Sequence, residues 1–308
     1  MAFLRSLKPV LGTTILVMVV LVPSLLSQEA NPVTNASVSG FAVGSQYDTT
    51  HVYVSPADLN AFVTSFTATF GGHTSKMIVS NVLPEASSTE FQYVWTPSGN
   101  LSVFAFTTPI PFPFGLERTG LLVTDFPAAV KSARASGAEI VVEPFKDPIG
   151  LDAVVQWDGG VKTQIYWHTT APNYEPLEYV PENRVYVSPD RADQFAHQFL
   201  SFARGKILSD EKSSDGAEIG LPGKTYRRIR IESKFGKLTI LVTDGHLPYP
   251  FGRELTGYEV KDLEATIVRA RAAGASTLWG PFQGADRAEA ILQFPGGYIA
   301  EVHATKNP

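Results

Sequence analysis

Residues 111–125 read PFPFGLERTGLLVTD, and residues 248–262 read PYPFGRELTGYEVKD. The match runs on without a gap: residues 109–168 set against 246–305, an offset of 137, give 21 identities in 60 pairs. Upstream, THVYVSP at 50–56 matches NRVYVSP at 183–189, at an offset of 133. Self-similarity this extensive marks a duplicated folding unit. The change of offset, 137 − 133, puts four extra residues in the middle of the second copy. The chain therefore reads as two tandem domains, 46–172 and 178–307, joined by the short segment 173–177.

Each copy divides again. Residues 50–55 alternate, with Val52 and Val54 on one face and His51 and Tyr53 on the other, as a half-buried strand does. Ser55 is expected to cap a helix that has Pro56 in its first position and Asp58 in its first turn. Leu59, Phe62, Val63 and Phe66 then recur at helical spacing until Gly71 and Gly72. Strands are expected near 76–80, 90–95 and 101–107, the last two joined at Ser98-Gly99-Asn100. The second part repeats the order: a strand at 120–123, Asp125 as a cap, a helix at 126–136 ended by Gly137, then strands near 139–143, 152–156 and 161–168. Strand–helix–strand–strand–strand thus occurs four times in an α+β chain. One helix covers one face of such a sheet, and the other face has to meet a partner module or line a cavity.

In this order of elements the chain resembles the glyoxalase/bleomycin-resistance/extradiol-dioxygenase superfamily, also called vicinal oxygen chelate. The most specific stretches are VKDLEATIVRARAAGA (260–275), GPF (280–282) and FPGGYIAEVH (294–303), with counterparts VTDFPAAVKSARASGA (123–138), EPF (143–145) and WDGGVKTQIYWH (157–168). The resemblance spans about residues 47–305. It implies four βαβββ modules forming two tandem half-open β-barrel domains, each around a cleft. It does not imply one reaction, because this fold serves isomerases, lyases, dioxygenases, transferases and metal-free drug-binding proteins.

In metal-using members, one divalent ion sits in the barrel on His, Glu or Gln side chains from the first and last strands of modules. Carried over position by position, the resemblance places His51 and Gln164 as metal ligands in the first half, with Arg118 where a third would stand. In the second half Arg184 stands at the place of His51, Leu255 at that of Arg118 and Glu301 at that of Gln164. Neither half carries a complete set. Strand alternation puts Tyr53 beside His51 and Tyr166 beside Gln164, so both tyrosines are candidate substrate contacts. Arg184 and Glu301 read as an ion pair in place of a metal. Alternatively, Arg184 receives a substrate carboxylate and Glu301 serves as a catalytic base. His246, on a loop over the cleft, is a further candidate for substrate contact, whereas His168 and His303 read as solvated strand ends. The Phe/Pro runs at 109–114 and 248–251 read either as an apolar lip for a ligand or as rigid loops packed on the sheet.

Composition bounds the rest. The chain has 308 residues, 44% hydrophobic, with a formal net charge of −5, which suits about two domains and gives no electrostatic footprint for nucleic acid. The basic cluster Arg227, Arg228 and Arg230 is short and reads as a solvated strand face. The absence of Cys excludes disulfides, thiolate metal sites and Cys nucleophiles. No glycine-rich phosphate loop or GxSxG motif is present. Residues 1–30 read as an export signal, with Arg5 and Lys8 ahead of an apolar run at 10–26; it is either cleaved, giving a periplasmic or secreted protein, or retained as a membrane anchor. A linker follows at 31–45. The expected function is a metal-dependent lyase or isomerase (Zn, Ni, Mn or Fe) acting on a small oxygenated substrate. The alternatives are a metal-free small-molecule binding protein and a structural role for one degenerate half.

Overall fold

The computed structural model describes residues 40–170 and 172–306. The expected export signal lies outside the described residues, as does most of the linker. Within the described residues no helix is long and apolar enough to cross a membrane.

The first half begins with β1 (Thr49–Tyr53), α1 (Leu59–Phe70), β2 (His73–Thr74), β3 (Ile78–Ser80), β4 (Thr89–Thr96) and β5 (Gly99–Phe106). Its second module is β6 (Thr119–Leu122), α2 (Phe126–Ala135), β7 (Glu139–Lys146), β8 (Gly150–Gln156) and β9 (Lys162–His168). The second half repeats this as β10 (Glu182–Val187), α3 (Ala192–Ala203), β11 (Lys206–Asp215), β12 (Thr225–Ser233) and β13 (Gly236–Val242). Its last module is β14 (Leu255–Glu259), α4 (Leu263–Ala272), β15 (Ser276–Gln283), β16 (Arg287–Gln293) and β17 (Ile299–Thr305). The strand order β2-β4-β5-β1-β6-β9-β8-β7, with β3 also on β4, is repeated as β11-β12-β13-β10-β14-β17-β16-β15. The architecture is α+β, four modules in two tandem half-barrels, as the sequence implied.

Each half pairs its own two modules, through a short antiparallel joint. In the first half, Thr49 faces Gly120 and Thr50 faces Thr119; in the second, Glu182, Asn183 and Arg184 face Gly257, Thr256 and Leu255. The four extra residues of the second half fall between α3 and β12. There β11 runs ten residues and is followed by a tight turn at Gly216–Ile219, where the first half has only β2 and β3.

The helix faces of the two halves meet each other. Phe62 and Phe66 of α1 share one core with Tyr258, Leu263, Ile267 and Phe294 of the last module. Phe126 and Val130 of α2 share another with Val185, Phe195, Phe202 and Ile240 of the third. Hydrogen bonds tie the same seams: Arg269 Nε donates to the Thr69 carbonyl at 3.1 Å, and Gln198 Nε2 to the Gly137 carbonyl at 3.1 Å. Alternation explains this polarity. Val52 of β1 enters the seam core, while His51 and Tyr53 point to the concave side.

Two local expectations are corrected. Helix α1 begins at Leu59, because residues 55–58 form a turn in which the Asp58 N–H bonds the Ser55 carbonyl at 2.9 Å and Ser55 Oγ bonds Asp58. Ser55 spends its hydroxyl on that carboxylate instead of on the helix. The arginine cluster on β12 is not simply solvated. Arg228 is buried against Glu218, Arg227 pairs with Asp193 and Asp210, and Arg230 pairs with Asp286.

Candidate functional site

The concave face of the first half encloses a cavity of about 200 Å³. Its wall from the first module is aromatic. Tyr53 stacks on Phe104 with ring centroids 5.2 Å apart, Phe91 lies 5.1 Å from Phe104, and Tyr93 stands edge-on to Phe91 at 4.5 Å. The opposite wall comes from β8 and β9: Asp152, Gln164, Tyr166 and His168. Phe114, Asp147 and Ile149 contribute from loops. The β1–β6 joint runs beneath, so the cavity straddles two modules.

The floor is polar. His51, Glu117 and Tyr53 converge there: Tyr53 Oη donates a short hydrogen bond to Glu117 Oε1, and His51 Nδ1 lies 3.8 Å from the same oxygen. His51 and Glu117 are each only 2% exposed, and His51 Nδ1 and Glu117 Oε2 have no hydrogen-bond partner within the protein. Buried polar atoms left in this state ask for a ligand, an ion or water. Burial raises the Tyr53 hydroxyl well above its ordinary value, and Glu117 adds to the effect. The His51 ring is held over Gly120, where a Cβ would come within 2.6 Å of Nε2; this position has to be glycine for the ring to lie there. On the facing wall Gln164 Nε2 donates to Asp152 Oδ1 at 2.9 Å. Burial raises the Asp152 carboxyl well above the usual range, reinforced by Asp147 and Glu117.

At the place of the His51 floor the second half is filled by an ionic network, and a charged opening of about 180 Å³ remains beside it, lined by Glu182, Arg230, Asp286, Arg287 and His303. Arg184 Nη1 lies 3.1 Å from Glu289, 3.2 Å from Glu301 and 3.8 Å from Glu182. Arg287 pairs with Glu182 at 3.3 Å, and His303 Nδ1 with Glu301 at 2.8 Å. Burial pushes Glu289 up to about 8 against the pull of Arg184. Burial also acts to raise Glu301, but His303 and Arg184 prevail and hold it at about 2. An apolar cluster fills the other end of the cleft: Ile219 from the extra turn, with Tyr226, Leu241, Phe251 and Leu255.

The candidate residues thus separate by half. His51, Gln164, Tyr53 and Tyr166 come together around the open cavity. Arg184 and Glu301 are joined to each other as the ion pair anticipated. His246 is exposed on the loop between β13 and β14, at φ 59°, outside the lining of the first cavity. His168 and His303 are corrected: the first lines the cavity, where burial lowers its pKa, and the second is buried on Glu301. The Phe/Pro loops divide between their two readings, since Phe114 lines the cavity while Phe251 packs into an apolar cluster of the second half.

Position counting missed Glu117. It pointed to Arg118, which instead lines a small crevice beside Thr50, Glu254 and Thr256. Pairing of β6 ends at Thr119, one residue sooner than the equivalent Leu255 of β14, and the carboxylate enters the cleft in place of the guanidinium. The available signal was the retention of this glutamate in both copies, as Glu117 and Glu254.

Solved structures with this arrangement are known. A 4-hydroxymandelate synthase variant from Streptomyces coelicolor superposes with a TM-score of 0.58 at 11% identity, covering 86% of this chain and 94% of that one. The fold is that of the vicinal oxygen chelate superfamily. A 2,3-dioxygenase from Pseudomonas sp. KL28 gives 0.55 at 12% identity, over 87% and 94% of the two chains. A Mn(II)-bound glyoxalase from Novosphingobium aromaticivorans gives 0.53 at 14%, over 86% and 82%. No family model matches the chain, and no curated protein matches it. At these identities a vicinal oxygen chelate likeness establishes architecture, and the chemistry has to come from the cleft itself.

Proposed function

We propose that the first half is the working half. Its cleft takes up a small, partly aromatic, oxygen-bearing molecule, and the His51–Glu117–Tyr53 floor moves a proton on it, in the manner of a lyase or isomerase. The observation that carries this reading is the unpartnered pair of His51 Nδ1 and Glu117 Oε2, buried at the floor of an aromatic-walled cavity. In this reading either atom takes a proton from a C–H or O–H of the bound molecule, and Tyr53 Oη or the protonated His51 returns one. General acid–base groups placed this way contribute about 10²–10⁴-fold. The aromatic walls exclude water and orient the molecule.

The likeness to a Mn(II)-bound protein also bears on the floor. No three His, Cys, Asp or Glu residues come together in ligating range among the described residues. His51 and Glu117 nevertheless offer two free donors, and the Gln164 carboxamide oxygen is of the right class for a third. These are the residues that would hold a divalent ion. Such an ion would polarise an oxygen of the substrate.

The test is a ligand and metal screen on the full-length protein. Compounds that raise its Tm are expected to lose affinity about tenfold or more in His51→Ala, a free-energy change of about 1.4 kcal/mol, and to keep it in Glu301→Gln. The reverse pattern would move the site to the second half. Elemental analysis after chelator-free purification decides the ion: near-stoichiometric metal that His51→Ala removes assigns the floor as its site.

A further inference from the structure

Three acidic residues line the cavity of the first half, Glu117, Asp147 and Asp152, with no Lys or Arg beside them in its lining, and the proton-transfer reading uses only Glu117 among them. Arg118, next to Glu117 in sequence, lines the separate crevice beside Glu254, and Lys146, next to Asp147, is exposed outside the cavity lining. In the second half, by contrast, Arg184 and Arg287 stand among Glu182, Glu289 and Glu301 within 3.1–3.8 Å. The duplicated fold therefore neutralises its buried carboxylates from within in one copy and leaves them uncompensated in the other.

The rings around these acids have the character that a cation prefers. Tyr93 and Tyr166 line the same cavity as Asp147 and Asp152. Tyr93 is stacked on Trp95 at 5.7 Å and edge-on to Phe91 at 4.5 Å, and Tyr166 is fixed by its hydroxyl on the Tyr47 carbonyl at 2.5 Å. The π-faces of fixed rings attract an ammonium, and more strongly where it is desolvated. Carboxylates alone would not make a site. Here they line a cavity whose floor also holds the buried, unpartnered His51 Nδ1 and Glu117 Oε2.

We propose that the ligand of this cleft is cationic: a small organic amine or ammonium whose positive group lies between Asp147, Asp152 and the rings of Tyr93 and Tyr166, with its apolar part along Phe91 and Phe104. This rests on the reading of the first half as the ligand-binding half and adds the ligand's charge class. It places the ammonium on the β8–β9 wall, which adjoins the His51–Glu117 floor through Tyr166 and Gln164, and the chelator comparison tells it from a divalent ion held at the floor.

The experiment uses three probes of matched size on the full-length protein: phenethylamine as the cation, 2-phenylethanol as the neutral form and phenylacetate as the anion, each titrated by calorimetry with and without EDTA. The amine is expected to bind about tenfold tighter than the alcohol, phenylacetate weakest of all, and EDTA to change nothing. Asp147→Asn, at the half-buried mouth where folding is not at stake, is expected to narrow the amine-to-alcohol ratio about threefold or more, and Asp152→Asn further. A merely structural role would weaken all three probes together and leave that ratio alone. Alcohol or anion binding as tightly as the amine, with sensitivity to His51→Ala, would overturn the charge class while leaving the cleft in place. Amine binding that EDTA abolishes would assign the amine to a metal and overturn it too. No binding of any probe at low-millimolar concentration would overturn both this inference and the reading beneath it.

Discussion

At the residue scale the two halves differ by what stands over one glycine. Gly120 lies under the His51 ring, and Gly257 lies under Glu301, where a Cβ would meet the carboxylate at 2.5 Å. Neither side chain can take its place if the strand beside it carries a Cβ. Gly120→Ala is expected to cost about 1–3 kcal/mol by overpacking, read as a lowered urea midpoint at unchanged slope. Because it displaces the His51 ring, it should also weaken ligands of the first cleft more than Gly257→Ala does, a comparison that calorimetry makes directly. An equal effect of both on the cleft would remove His51 from it. The residue scale is also where the sequence was hardest to read. Alternation along β1 gave His51 and Tyr53 their face, because period two is a property of any strand. Glu117 and Arg118 lie where pairing ends, and alternation does not continue past a strand's last paired residue. Which of two neighbours turns inward is settled there by packing.

At the scale of elements, the clearest readings were those with local physics behind them. Asp125 caps α2 through the Ala128 N–H at 3.0 Å, and Asp262 caps α4 through Ala265 at 3.0 Å, each worth about 1 kcal/mol. The four extra residues were legible as an insertion but not as a plug, since nothing in their spacing says that Glu218 and Ile219 turn into the cleft. Strands β10, β16 and β17 together hold the ionic network, and its pH response follows from the shifts. Glu301 is depressed to about 2, so its contribution is complete above the ordinary glutamate value of 4.5 and is lost as pH falls toward 2. Glu289 is raised to about 8, so the folded state binds the extra proton between 4.5 and 8, and stability falls as pH rises through that window. Glu289→Gln keeps the acceptor for Arg184 and removes the titration. Urea unfolding from pH 5 to pH 8 should therefore be flatter in this variant than in the wild type. Identical slopes would mean that Glu289 does not carry the proton.

At the scale of the whole molecule, the four modules close a ring. Modules one and two share a sheet, as do three and four; modules two and three share one apolar core, and one and four share the other. The repeat showed that there were four modules, but not which faces would meet, because every module offers the same kind of helix face. Each half alone would expose its share of both cores, including Phe62, Phe66, Phe126, Phe195 and Phe202, well beyond the apolar patches that monomers tolerate. Residues 40–177 and 178–308 expressed separately are expected to aggregate or stay unfolded, and to recover native circular dichroism and a single elution peak only when refolded together. A folded, monomeric first half would refute the shared-core argument.

The ionic network of the second half also has a mechanical role. Modules one and two touch within their sheet through only two paired positions on β1 and β6, a narrow joint to set the span of a binding cavity. Their helices, however, are clamped against modules four and three, which are locked to one another by close-packed charge and apolar side chains. Packed interiors transmit displacement with little compliance. The half with the ionic network thus acts as a gauge block: the distance it keeps between its own two modules is carried through both seams and fixes how far apart the walls of the first half can stand.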